Sequence, residues 1–415
     1  MNKTIVGLLA AIVVLAVFVI MRVAIATPDP AQKIKQLPAN EYDPAVWGKY
    51  YPLEYKSFQK NLEMSASPTG FGGSINVQKS LKEPEILMNF KGMAFSEDYS
   101  EDRGHPYALE DLLKSKRVTP KTPGACMTCK TANLKDLWQE TGWNYAKAPL
   151  TEITPRLKHS ITCANCHDPQ TMKLRVINPA FVEAMKKRDI DVNQASREQM
   201  RTYVCAQCHV EYYFEPGTTK VVFPWEKGLE PEKIYEYYAA RPSGFGEDWV
   251  HPDSQVKLLK AQHPEFETWS GGVHGRADVA CADCHMPYMR KDGRKYSSHR
   301  VTSPMRHVEA SCGPCHDQGN KWLVASVKST QDKVWQLQRT AGQTVAHAHE
   351  ALAAAKASPA QMEEARELLR RAQWYWDFVA AENGMGFHNP TQALNTLALS
   401  IDSANQAILA VKTGK

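Results

Sequence analysis

Cys126-Met127-Thr128-Cys129-Lys130, Cys163-Ala164-Asn165-Cys166-His167, Cys205-Ala206-Gln207-Cys208-His209, Cys281-Ala282-Asp283-Cys284-His285 and Cys312-Gly313-Pro314-Cys315-His316 are the five stretches on which the reading of this chain turns. They contain all ten cysteines, each in a C-x-x-C pair, and in four of them a histidine follows at once. C-x-x-C-H attaches haem c: two thiols bond to the vinyl groups of one haem, and the next residue lies against the iron. Three other uses of paired cysteines fit less well. Exported cysteines often form disulfides, but not as five adjacent pairs with the same tail. Structural zinc accepts C-x-x-C units and gives no reason for the histidines. A thioredoxin-like redox pair would occur once. With five haems packed inside, little ordinary core is needed, so short helices and long loops are expected from residue 30 to residue 320.

The first motif breaks the pattern, because Lys130 stands where the others have histidine. It is open to a plain reading: a degenerate motif without haem, or a haem ligated from elsewhere. Lysine binds iron only as the neutral amine, which burial and the metal together favour. Axial-ligand identity tunes haem iron, so the outlier among uniform motifs is the natural catalytic centre. The histidine count agrees. Of fourteen, four are proximal, and the remaining ten exceed the four that bis-histidine ligation would need. No histidine is required to block the sixth position at Lys130.

The bulk composition sets wider bounds. The 415 residues carry 50 Lys and Arg against 45 Asp and Glu, a net charge of +5, too mild and dispersed for nucleic-acid binding. Lys3 precedes an uncharged apolar run from Ile5 to Met21, closed by Arg22. The run lies between a secretory signal and a full membrane span. Residues 1–26 therefore read either as a removed signal peptide or as an uncleaved membrane anchor, and both place the bulk of the chain in the periplasm.

Further stretches carry a family likeness: Arg103-Gly104-His105, Cys208 to Phe214, Lys260-Ala261-Gln262-His263-Pro264, Trp269 to Gly275, Cys284-His285-Met286-Pro287 and Phe387-His388-Asn389-Pro390. With the Cys-x-x-Cys-Lys motif and its four Cys-x-x-Cys-His companions, they resemble the calcium-containing pentahaem cytochrome c nitrite reductases, which make ammonium from nitrite. The likeness covers nearly the whole chain after the N-terminal segment. It implies a mainly α multihaem cytochrome c with a haem-packed core, few short strands and long C-terminal helices. It implies five haem c, with His105 opposite His209, His299 opposite His167, His274 opposite His316 and His388 opposite His285. It makes Arg117, Tyr212 and His263 the distal active-site residues, with Lys130 on the proximal side. Arg103 stands beside His105, but the family's arginine lies a little over three helical turns beyond that histidine, at Arg117. One calcium ion is implied at Glu211, Gln262 and the backbone carbonyls of Tyr212 and Lys260. Implied partners are nitrite, a second copy of the chain, and a multihaem electron donor, either a membrane quinol-oxidising cytochrome or a soluble carrier. Hydroxylamine and sulfite are expected side substrates. A pure electron carrier, the rival class, would have no reason to combine Lys130, Arg117 and His263.

His159, His251, His307, His347 and His349 match no motif. The C-terminal third reads as helix. Val334, Leu337, Ala341, Val345 and Leu352 share one face between Lys321 and Lys356, and further runs cover about 360–383 and 391–413. The expected division is an N-terminal segment 1–26, a pentahaem catalytic region 27–320 and a helical dimerisation region 321–415.

Overall fold

The computed structural model describes residues 37–240 and 246–412. The apolar run from Ile5 to Met21 lies outside them. Among the described residues, no helix is long and apolar enough to cross a membrane.

From Pro44 to Ser311 the chain is a succession of short helices and 3-10 turns joined by loops. Three two-stranded antiparallel hairpins interrupt it: β1 (Tyr213–Phe214) with β2 (Val221–Val222), β3 (Trp249–Val250) with β4 (Lys257–Leu258), and β5 (Tyr288–Lys291) with β6 (Arg294–Ser297). Three long helices follow: Asn320–Ala354, Pro359–Ala381 and Pro390–Lys412. The second begins on a capping box, with Ser358 and Gln361 exchanging side-chain bonds to each other's backbone N–H and Pro359 in its first turn. The apolar face expected on the first helix is the one that packs. Val334, Ala341, Val345 and Leu352 are buried, and Leu337 is partly buried beside them. They meet Leu369 and Trp376 of the second helix, Leu397 and Ala404 of the third, and Ile86 and Phe90 from the N-terminal part. Gly342 permits the closest approach, since a Cβ there would stand 2.7 Å from Trp376 Nε1 and 2.9 Å from Glu85 Cγ.

The helical region is tied to the rest by buried polar links. Lys260 Nζ pairs with Asp377 at 2.8 Å, with both side chains almost wholly buried. Asp377 also accepts from Ala261 N at 2.8 Å, so it holds the chain beside His263 from the second long helix. The unassigned His251 and His349 form a second link. Their rings stack at 3.9 Å, and both residues are fully buried. Gln373 Nε2 donates to Asn89 O at 2.7 Å, so its Oε1 faces His349 Nε2 as an acceptor at 2.6 Å. Nδ1 of the same ring takes the Ser254 hydroxyl at 2.7 Å. Both nitrogens are thus satisfied by the neutral ring, with Nε2 donating and Nδ1 accepting.

This arrangement gives a pH prediction. Burial, with the field of His251 next, pushes His349 down to about 3. An unfolded chain holds histidine near 6.5, so the unfolded state takes up the extra proton first. Stability is complete above about pH 6.5 and is lost as pH falls toward 3, at up to about 1.4 kcal/mol per pH unit. The thermal midpoint of His349→Gln should start lower at neutral pH and fall less steeply on acidification than wild type. Parallel acid limbs for the two proteins would refute the assignment.

Candidate active site

The Lys130 motif sits on a rigid turn. A 3-10 turn over Gly124–Met127 begins it, and a Cβ on Gly124 would run into the Tyr145 carbonyl. Met127 is fully buried, and Thr128 Oγ1 bonds both Ala125 O at 2.7 Å and Tyr145 Oη at 2.8 Å. Lys130 N then closes on Met127 O at 3.1 Å. Cys126 and Cys129 therefore stand one turn apart with Lys130 beside them. None of the ten cysteines is in a disulfide.

The other four motifs place each histidine opposite a second ring from far along the chain. Ring centres are 6.3 Å apart for His105 and His209, 6.0 Å for His167 and His299, 6.3 Å for His274 and His316, and 6.2 Å for His285 and His388. Imidazole nitrogen lies about 2.0–2.1 Å from a metal it binds and roughly 1 Å in front of its ring centre, so rings on opposite sides of one ion stand about 6 Å apart. All four separations fit iron ligated from both faces, with the two cysteines of each motif at hand for a haem. The Nδ1 atoms face away into fixed partners: Met172 O for His167, Thr302 O for His285 and Ser297 O for His299, at 2.9–3.0 Å. Such bonds leave Nε2 toward the partner ring. Burial holds His105, His167 and His285 at about 4, in the neutral form that ligates. His388 differs. Burial opposes its charge, but the Glu382 carboxylate at 2.6 Å outweighs burial and lifts it to about 9. His209 has a carboxylate too, Glu265 Oε2 at 3.6 Å.

The motifs touch in an order unlike that of the sequence. Cys129 and Cys208 are neighbours, which joins the first motif to the third. Cys205 contacts Cys281, which joins the third to the fourth. Cys208 lies in the field of Cys166, and Cys284 in that of Cys312. The His209 centre is the hub. Its motif neighbours those of Lys130, His167 and His285.

Around Lys130 the structure gathers Arg117, Tyr212 and His263. Arg117 Nε donates to Ser115 Oγ at 3.1 Å, and its guanidinium lies 4.2 Å from the centre of the Phe95 ring. Burial lowers His263 to about 4, within the fields of Glu265, Lys130 and Asp102. Burial also raises the Tyr212 phenol well above its ordinary value, with Cys129, Cys126 and Arg117 nearby. Asp102 is a member that the sequence did not reveal. It belongs to no motif, yet its Oδ2 is 4.0 Å from Lys130 Nζ. Its side chain is more than half exposed, and the charges of Lys130 and Arg117 hold its pKa below the usual carboxylate range. Arg103 is engaged elsewhere: it pairs with Asp111 and Glu110 and lies over Tyr107.

Behind Tyr212 and His263 lies a set of oxygen atoms. Glu211 is fully buried, and its carboxylate accepts from Gln262 N at 2.6 Å and Tyr238 Oη at 2.9 Å. The Gln262 side-chain amide reaches the Lys260 carbonyl at 3.0 Å, and a turn of the amide would present its oxygen instead. A second buried carboxylate, Glu267, accepts from Glu211 N at 2.9 Å and Trp225 Nε1 at 2.7 Å, and burial pushes it up to about 8. The nearby ammonium of Lys260 is already taken by Asp377. Two buried carboxylates without a cationic side chain of their own, next to carbonyl and amide oxygens, suit a hard cation.

Comparison with known proteins agrees with this geometry. The family model for cytochrome c552 matches residues 43–414. The chain is 37% identical to cytochrome c nitrite reductase subunit NrfA of Nitratidesulfovibrio vulgaris, over 91% of this chain and 80% of that one. It is 36% identical to cytochrome c-552 of Parabacteroides distasonis, over 87% and 74%. A solved cytochrome c nitrite reductase from Desulfovibrio desulfuricans superposes with a TM-score of 0.86 at 36% identity, covering 91% of this chain and 87% of that one. It is described as having two calcium sites in its catalytic subunit.

The Glu382–His388 bond can be tested directly. A carboxylate on the outer nitrogen makes imidazole a more basic ligand, and such partners are worth about 10–100-fold in metal affinity or activity. Glu382→Gln in the haem-loaded protein should raise the reduction midpoint of one haem and leave the others in place. An unchanged set of midpoints would show that Glu382 does not act through the ring.

Proposed function

The chain belongs to the cytochrome c552 family and, as an ammonia-forming cytochrome c nitrite reductase, it reduces nitrite to ammonium; we propose that Lys130 marks the centre where this occurs. One observation carries the proposal. Four attachment motifs have a second imidazole standing opposite, whereas the Lys130 motif has Arg117, Tyr212, His263 and Asp102 around it. A haem held by Cys126 and Cys129, with Lys130 beside it, would supply an iron able to accept electrons and bind a small anion.

The rest of the work falls to side chains. Nitrite, six electrons and eight protons become ammonium and two waters, so the pocket must bind an anion and deliver protons repeatedly. Arg117 supplies a permanent positive charge, and its bond to Ser115 and its stacking on Phe95 fix its direction before substrate arrives. His263 is kept neutral by burial, so it can take a proton from the relay and pass it to a nitrite oxygen. Tyr212 stays protonated and remains a hydrogen-bond donor. Asp102 faces the permanent charge of Arg117.

The four histidine pairs hold the remaining haems as electron relays, with Cys163 and Cys166, Cys205 and Cys208, Cys281 and Cys284, and Cys312 and Cys315 as attachment points. One calcium ion is held by Glu211, the Gln262 side-chain oxygen and the carbonyls of Tyr212 and Lys260. It answers the buried negative charge and fixes Tyr212 and His263, each next to a ligand in sequence. Hydroxylamine and sulfite fit the same pocket as side substrates. The long helices form a homodimer contact, since Leu399, Leu409 and Trp322 expose large apolar surfaces there. The enzyme works in the periplasm, delivered or tethered by residues 1–26.

Two measurements test this reading. With a reduced viologen as donor, the five-haem protein should yield ammonium from nitrite. Arg117→Gln should lower kcat/KM by about 10²–10³-fold with its haem content intact, and Lys130→His should lose most ammonium formation. A five-haem wild type that makes no ammonium refutes the site, and a count of four haems refutes Lys130 as a ligand. Chelation should lower activity, with recovery on adding Ca²⁺ but not Mg²⁺, whose small octahedral shell suits these flexible donors poorly.

A further inference from the structure

Hairpin β5–β6 carries an arrangement that works against its own folding. The turn Asp292-Gly293 has φ of 50° and 75°, the two positive values of a tight hairpin turn. Its register sets Arg290 opposite Lys295 and Lys291 opposite Arg294. Two pairs of like charges therefore face each other directly across the strands, a destabilising placement. All four side chains are exposed. Asp292, at the tip, is the hairpin's single anion. Lys295 lies 4.2 Å from the centre of the Tyr288 ring, and the Tyr288 hydroxyl accepts from Arg197 at 2.6 Å, which brings a fifth exposed cation to the base of the patch.

The position of the hairpin gives this charge a use. One strand leaves from His285 through Met286 and Pro287, and the other runs into His299, whose Nδ1 bonds Ser297 O at 2.9 Å. His285 faces His388 and His299 faces His167, so the hairpin is rooted in two separate ring pairs. Neither pair belongs to the Lys130 pocket, whose neighbours are Arg117, Tyr212, His263 and Asp102. A patch in this place is ill-sited to capture nitrite and well-sited to receive electrons. We propose that the β5–β6 hairpin is the docking surface for an acidic electron-carrier protein, steered by Arg290, Lys291, Arg294 and Lys295 onto the centres rooted at His285 and His299. The proposal rests on the ring pairs holding haem. Charge steering of this kind speeds encounter by about 10–10³-fold and fades with salt.

The test uses the five-haem protein with reduced flavodoxin, an acidic one-electron carrier. Each flavodoxin hydroquinone gives up one electron and becomes the semiquinone, and six such transfers reduce one nitrite. Haem reduction is followed without nitrite by stopped flow, across a salt series, for wild type, R290Q/K291Q/R294Q/K295Q and R290E/K291E/R294E/K295E. The wild-type rate should fall steeply with salt. The glutamine variant should be at least about tenfold slower at low salt and nearly salt-independent, and the glutamate variant slower still. Ammonium formation driven by reduced viologen should stay within about twofold of wild type in both, and the glutamine variant should melt no lower, because the like-charge pairs are gone. Flavodoxin rates that match wild type in the variants overturn the proposal, as do flavodoxin and viologen rates that fall together. Loss of sedimentation with phosphatidylglycerol vesicles, with flavodoxin rates unchanged, overturns it in favour of a lipid surface. A wild type that makes no ammonium with viologen counts against the nitrite-reductase site alone, since haem reduction still reads the docking.

Discussion

A metal ion ligated from both faces demands two imidazole nitrogens that face one point from opposite sides. The four histidine pairs hold their ring centres 6.0–6.3 Å apart, the separation that such ligation needs. Keeping four such slots open requires rings held from behind, and carbonyls or carboxylates on Nδ1 do so for His167, His209, His285, His299 and His388. It also explains the division of the molecule. The region that carries the slots is built from short turns, each suited to placing one or two ligands. Continuous apolar packing is deferred to the three long helices, which enclose no slot of this kind.

Charge is handled with the same care. Lys260 and Asp377 are buried together, and breaking one partner of such a pair leaves a charge stranded at a cost of about 3–5 kcal/mol. The pair engages Lys260, the cation whose field reaches Glu211, so Glu211 has no ion-pair partner of its own among the described side chains. The helical region thus affects the pocket at a distance. Asp377 orders the backbone at Ala261, one residue before Gln262 and two before His263.

How much of this was legible in the sequence depended on the range of the interaction. Covalent attachment imposes a local spacing, so the five motifs could be read directly. Helical periodicity is also local, and the buried face Val334, Ala341, Val345 and Leu352 followed from it. Arg117 and the distal histidines came only through family likeness, because no local pattern ties them to a particular iron. Arg103 shows the hazard of adjacency: it stands beside His105 in sequence, and Asp111 captures it. Asp102, Glu382 and the stacked His251 and His349 were not legible. Each acts through a contact with a remote or loop-separated position, and neither composition nor period records such contacts.

The pairing of rings across long stretches of chain bears on how the molecule is made. His167 emerges long before His299, and His285 long before His388. A haem joined to either early motif during export must wait with one face open until the later segment arrives. The hub at His209 escapes this, since His105 precedes it. Assembly therefore has a direction. The centre next to Lys130 can close first, the His316 centre also finds its partner His274 already made, and the His285 centre is sealed only when the loop before the third long helix is delivered. Premature termination between His316 and His388 would spare every attachment motif and still leave the His285 centre without its second ring.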